Sequence, residues 1–458
     1  MVQQKVKYTD TERTPAERAR ALLEEMTLDE KMAQLGCIFP FGDSYDDMEQ
    51  QALEMPYGIG QVSTLEMRRI GTLEEAAGWQ RKMQETVMRQ SPHHIPAIFH
   101  MEGLCGAFIQ EGTSFPSGIA RGSGWDPELE EKIAKVVAKQ EAACGITHIL
   151  APVLDISRDS RMGRQGETYG EDPALAAALG AAYTKGIQTT EAGGRRPESV
   201  AKHFLGFHNS QGGIHGTNSD TPSRLMEEIY GKPFQSAISE SELKGVMPCY
   251  NSIDGEPASV SHRLLTELLR EKMGFDGLCV SDYGGINNAH EVQRIGETIG
   301  ETGLLAMEAG MDIEMPKATG YGEELKEMFR SGQADTELLD RTVLRVLEAK
   351  FRMGLFEHPF AMDGESCQKI FEEKEGAELS FRSARESMVL LKNNGILPLS
   401  GKIKKLALIG PHADCARKFF GGYTHLCMME SVYAVASSIA GVEGSRSPAD
   451  QRSNAAKW

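Results

Sequence analysis

Short apolar runs alternate with longer amphipathic stretches through the first 350 residues or so of the chain. Ile95-Pro-Ala-Ile-Phe-His, Ile149-Leu-Ala-Pro-Val-Leu-Asp and Ser199-Val-Ala-Lys-His-Phe are three such runs. Gly245-Val-Met-Pro-Cys-Tyr, Gly277-Leu-Cys-Val-Ser-Asp and Met311-Asp-Ile-Glu-Met are three more. Each is short enough for a buried strand and has helical-looking sequence on at least one side. The stretches 225–238 and 261–273 read as helices. Two further helices announce themselves by their starts. Thr14-Pro-Ala-Glu offers an N-cap with proline at the first helical position. Thr27-Leu-Asp-Glu has capping-box spacing.

Strands that alternate with helices imply βα units and a parallel sheet. Nearly every run also finishes on a polar or ionisable side chain: His100 with Glu102, Asp155, Lys202 with His203, Tyr250, Asp282 and Glu314. A closed barrel gathers its chemistry at the C-terminal ends of many strands. An open doubly wound sheet uses fewer. The fold class read from this pattern is α/β, a TIM-type (β/α)8-like barrel followed by the start of an α/β sandwich domain. The barrel is expected over 1–355, a turn-rich linker over 356–375 and an incomplete sandwich over 376–458. A helix over 373–388 and a buried strand in Lys405-Leu-Ala-Leu-Ile-Gly-Pro would open that second unit. The tail after Val442 holds no Leu, Ile, Val or Phe and cannot complete a core.

Composition narrows the functional classes. Forty-nine Lys and Arg against 66 Asp and Glu give a net charge of −17, which disfavours a nucleic-acid partner. No apolar stretch is long enough for a membrane helix, and the N-terminus lacks the apolar core of a signal peptide. The eight cysteines show no C-x-x-C pair and read as small core residues, a usage that fits a reducing compartment. A cytoplasmic protein, with a homodimer as one option, is the expectation.

No serine elbow, phosphate-binding loop, dinucleotide fingerprint or H-E-x-x-H zinc motif is present. No metal or organic cofactor is expected. What remains is carboxylates with basic and aromatic side chains at strand ends. That inventory suits sugar chemistry, because one carboxylate can attack an anomeric carbon while others accept hydrogen bonds from hydroxyls.

At this point the residues resemble a known family. The run Leu154-Asp-Ile-Ser-Arg-Asp-Ser-Arg-Met-Gly-Arg-Gln-Gly-Glu-Thr-Tyr-Gly-Glu-Asp-Pro is similar to the signature of glycoside hydrolase family 3. So are Lys202-His-Phe, Val246-Met-Pro-Cys-Tyr-Asn, Gly277-Leu-Cys-Val-Ser-Asp-Tyr, Ala309-Gly-Met-Asp-Ile-Glu-Met-Pro, Leu390-Leu-Lys-Asn and Leu408-Ile-Gly-Pro, in order, over roughly residues 15 to 440. The resemblance implies an exo-acting retaining β-glycosidase with an oligosaccharide or β-glycoside substrate carrying a terminal glucosyl or xylosyl residue. It implies Asp282 as nucleophile and Glu102, Arg158, Lys202, His203, Tyr250 and Tyr283 around the sugar. Arg161, Arg164, Glu167 and Asp172 are read as braces of their loop. Without the resemblance, Asp282 would read as a helix N-cap or a turn residue. The loop Met101-Glu-Gly-Leu-Cys-Gly departs from the family pattern, with Cys105 in place of a usual His. Glu102 in place of a common Asp would shrink the subsite and make a pentose plausible.

The resemblance leaves the general acid open. In multi-domain members a Glu of the second domain supplies it, expected beyond residue 458. In single-domain hexosaminidases a His in the loop after Lys-His-Phe does so, within Asp-Ser-His. Here that loop holds His208 and His215 but no Asp-Ser-His. A hexosaminidase or phosphorylase of the same family, and a sugar-binding fragment without turnover, are the alternatives.

Overall fold

The computed structural model describes residues 6–40 and 50–434. Seven short strands run parallel in chain order: β1 (Cys37–Ile38), β2 (Gln61–Ser63), β3 (Ile98–Met101), β4 (His148–Ile149), β5 (Glu198–Phe204), β6 (Gly245–Pro248) and β7 (Leu278–Cys279). The apolar run 311–315 takes the eighth position and joins β7 through a single bridge between Val280 and Ile313. The Glu314 N–H then donates to the carbonyl of Leu35, next to β1, at 3.0 Å. These bonds close the ring, and the architecture is a TIM-like barrel. Six of the eight cysteines are buried, Cys279 among them, and all eight are free thiols. No described helix is long and apolar enough to cross a membrane.

The helices follow the sequence signals. Thr14 and Thr27 both form full capping boxes, with Glu17 and Glu30 bonding back to the N-cap backbone. The stretch expected as one helix over 225–238 is broken in two, Met226–Tyr230 and Lys232–Ser241. Pro233 lacks the N–H that a continuous helix needs, so the second piece starts with proline in its first turn. The helix expected over 261–273 is Arg263–Lys272, wound at the wider π pitch.

Two expectations beyond the barrel need correction. The stretch 356–375 is no loose linker. Gln80 and Gln84 donate to the Pro359 carbonyl, and buried Arg195 donates to the carbonyls of His358 and Phe360. A helix, Gly364–Phe371, capped by Asp363, then buries Cys367 and Phe371 in one cluster with Trp79 and Met83. Lys374–Glu386 follows as the expected helix and lays Leu379 against Phe115 and Leu129. The strand expected in the 405–410 run does not form, and residues 388–412 are exposed throughout. A strand needs a neighbour for its backbone groups, and none of the described residues pairs with this run. The chain returns to the barrel at Tyr423 and the buried Thr424, ahead of the helix His425–Ala434. The expectation for the tail after Val442 lies outside the described residues.

One core residue carries a stability prediction. Lys350 is fully buried, and its ammonium donates to Gln34 Oε1 at 2.6 Å. Burial pushes its pKa down to about 7. Between that value and the ordinary lysine value the unfolded chain binds a proton that the native chain does not, so stability rises with pH across this window. Below about pH 7 the native state carries the full cost of the buried charge. Lys350→Met is therefore expected to stabilise the fold at pH 7 by about 1–3 kcal/mol, after loss of the Gln34 hydrogen bond. The gain should vanish towards pH 10. Urea unfolding midpoints at the two pH values measure it; a variant less stable at both would contradict the reading.

Candidate active site

Residues 202 and 203 are neighbours on β5, and neighbours on a regular strand face opposite ways. Here the register to β6 shifts between Lys202 and Phe204. Lys202 reaches Glu102, after β3, while His203 reaches towards Asp282, after β7. Three strand ends thus converge on one point. Asp282 is placed by its own backbone as much as by its neighbours. The Ser281 hydroxyl accepts the Met315 N–H at 2.8 Å, and the Asp282 carbonyl accepts the Gly285 N–H at 2.9 Å.

The two carboxylate oxygens of Asp282 have different surroundings. Oδ1 accepts from the Tyr250 hydroxyl at 2.8 Å and from the Tyr283 N–H at 2.7 Å. Oδ2 takes no hydrogen bond from the described residues, although it is shielded from solvent. His203 Nε2 stands 3.6 Å from it. Burial and the adjacent carboxylate push the Tyr250 hydroxyl well above its usual range, so it stays a donor. One oxygen is fixed and the other is left available, which is what a carboxylate nucleophile requires.

His203 is held between an acid and a base. Its Nδ1 lies 2.7 Å from Asp155 Oδ2, and its Nε2 lies 3.3 Å from Arg164 Nη2. A guanidinium has only donors, so Nε2 accepts and Nδ1 carries the proton. Burial, with Arg164 and Lys202 nearby, pushes the imidazole well below its usual value and keeps it neutral. Burial pushes the Asp155 carboxyl up to about 8, with Arg164 pulling the other way. Arg164 itself grips Glu167 through two parallel bonds of 2.7 and 2.8 Å and lies over the Phe207 ring. Lys202 forms a close ion pair with Glu102, whose carboxyl is raised by burial and lowered by that same ammonium.

Tyr283 turns its hydroxyl into the barrel, 2.8 Å from His100 Nε2 and 3.0 Å from Ser63 Oγ. Glu314, expected as another strand-end polar group, has a structural role. It is fully buried and accepts from the backbone of Thr319, Gly320 and Tyr321. The cluster therefore contains Asp282, Glu102, Lys202, His203, Tyr250 and Tyr283. It does not contain Arg158, which is exposed and reaches only the Glu171 carbonyl at 3.4 Å. Arg164, read from sequence as a brace, does brace the loop through its ion pair with Glu167, and it also reaches His203 in the cluster. The reason is the turn at 160–162, which ends on Gly163 in the left-handed region and redirects the chain inward. Tyr423 was missed altogether. Its ring lies 5.5 Å from the Lys202 ammonium and stacks on Phe108. Among the described residues no cluster of three or more His, Cys, Asp or Glu could hold a metal ion.

Residues 27–349 match the glycosyl hydrolase family 3 N terminal domain. The chain belongs to glycosyl hydrolase family 3. A β-xylosidase of Formosa agariphila is 34% identical over 72% of this chain and 49% of that protein. A β-glucosidase of Rhizobium radiobacter is also 34% identical, over 68% of this chain and 36% of its own length. Among solved structures, a β-glucosidase from Erythrobacter marinus superposes with a TM-score of 0.80 at 32% identity, covering 86% of this chain and 52% of that one. The family 3 chain described here thus spans about half the length of the first curated relatives it matches.

Proposed function

We propose that this family 3 chain carries the nucleophile and sugar-binding face of an exo-acting retaining β-glycosidase acting on terminal β-D-glucosyl or β-D-xylosyl residues. The observation that carries the reading is the Asp282 carboxylate, with Oδ1 held by two donors and Oδ2 free beside a neutral His203. In this scheme Oδ2 attacks C1 and the bond from C1 to the aglycone oxygen breaks. Water then releases the sugar from the glycosyl ester. Lys202 and Arg164 offer hydrogen bonds to the sugar hydroxyls, and Glu102 and the unprotonated Nε2 of His203 accept them. The long Glu102 side chain, drawn in by Lys202, narrows the site and supports a pentose beside glucose. β-Glucosidases and β-xylosidases both stand among the relatives.

Among the described residues, the other carboxylates near Asp282 are each engaged: Glu102 by Lys202, Glu167 by Arg164 and Asp155 by His203. None is free to protonate the departing oxygen. Nitrophenyl glycosides test the reading well, because nitrophenolate departs with little help from an acid. The purified chain should hydrolyse the β-glucoside or β-xyloside at least tenfold faster than the N-acetylglucosaminide. Preference for the N-acetylglucosaminide, lost in His215→Ala, would replace this reading with the hexosaminidase alternative.

A further inference from the structure

The loop from Asp155 to Asp172 has two working sides. Its inner side supplies Arg164 and Glu167 to the site around Asp282. Its outer side walls a surface cleft of about 610 Å³, together with the helix Gly118–Gly124 and the residue after it, Trp125. The helix lies directly on the loop. A Cβ at Gly118 would meet the Glu167 carbonyl oxygen at 2.2 Å, and one at Gly122 would meet that of Tyr169 at 2.3 Å. The cleft is therefore built on a rigid seam, with Tyr169 anchored beneath it by Glu130.

Trp125 is the unusual member. It is 65% exposed, and its backbone sits at φ 55°, ψ 31°, the left-handed region that favours glycine. A bulky residue there costs on the order of 1 kcal/mol or more. An exposed indole recovers little of that by packing, so folding alone gives no reason for tryptophan here. Beside it lie Ile119, also exposed, the exposed guanidinium of Arg158, whose Nε donates to the Glu171 carbonyl, and the carboxylates of Glu171 and Asp172. Asp172 already caps the following helix through the Ala174 and Leu175 N–H groups. A flat aromatic face, a planar donor fork and a carboxylate acceptor, with no excess of positive charge, match a neutral polyhydroxylated ring. An anion would meet two carboxylates against one guanidinium.

We propose that this cleft is a second carbohydrate site, holding a neutral β-linked oligosaccharide on Trp125 and Arg158 apart from the pocket of Asp282. The proposal rests on the glycosidase reading for its ligand class. Its test uses the full chain carrying Asp282→Asn, titrated with xylohexaose and cellohexaose. Tryptophan emission should shift on binding, and Trp125→Phe should abolish the shift. Trp125→Ala should weaken binding at least tenfold, yet change kcat and KM for a nitrophenyl glycoside by less than about twofold in the otherwise native chain. Equal affinity with and without Trp125, or no change in emission, would overturn the second site. If hexaose shifts the emission of a chain that cleaves no aryl glycoside, the cleft stands and the catalytic reading falls.

Discussion

Asp282→Ala is expected to lower kcat/KM for a nitrophenyl β-glycoside by about ten-thousand-fold or more, the scale on which loss of a covalent nucleophile acts. The expectation follows from the asymmetry of its carboxylate. Tyr250 and the Tyr283 N–H fix Oδ1, so Oδ2 is presented in one orientation and none of the described residues hydrogen-bonds to it. Among the described residues no other carboxylate beside Asp282 could substitute, because Glu102, Glu167 and Asp155 are each tied to a cation or to His203. The variant should still fold, because the side chain is 14% exposed and fills no apolar core. Unchanged far-UV dichroism beside lost activity is the expected pairing. Residual activity within tenfold of the parent would point to another nucleophile.

The second large effect separates two arginines of one loop. Arg164→Ala should cost about a hundred- to a thousand-fold in kcat/KM, whereas Arg158→Ala should stay within about twofold on the same substrate. Arg164 is half-buried, doubly bonded to Glu167 and in contact with His203. Removing it leaves the Glu167 carboxylate unpaired and frees the imidazole, a loss larger than one sugar contact. Arg164→Lys should rescue little, since an ammonium cannot reproduce the planar fork. Steady-state kinetics on the three variants decides the matter, and a loss at Arg158 equal to that at Arg164 would contradict the placement.

The contrast between these arginines shows what the sequence can carry. The barrel was legible because each apolar run has strand length and ends on a polar residue, so that β3, β5, β6 and β7 deliver their chemistry at one end. Lys202, His203, Tyr250 and Asp282 sit on or just after strands, where the fold itself dictates position. Arg158, Arg161 and Arg164 sit in a loop with no periodicity, and composition alone cannot say which faces inward. The turn closed by Gly163 settles that, and only in three dimensions. Tyr423 was illegible for another reason: it reaches Lys202 from more than 200 residues away, through a segment whose expected strand does not form. Local strand propensity in Leu406, Leu408 and Ile409 meets no partner edge. The 356–375 stretch misled in the opposite sense. Turn-forming residues suggested a tether, but Gln80, Gln84 and Arg195 satisfy its backbone carbonyls and clamp it to the barrel.

The central claim is that Asp282 forms a covalent bond to the sugar. Incubation of the chain with a 2-deoxy-2-fluoro β-glycoside carrying a good leaving group, followed by proteolysis and mass spectrometry, tests it most directly. A single glycosyl adduct on Asp282, absent from Asp282→Ala, is the predicted result. An adduct on any other residue, or turnover of the fluorosugar by a chain that carries no adduct at all, would contradict it.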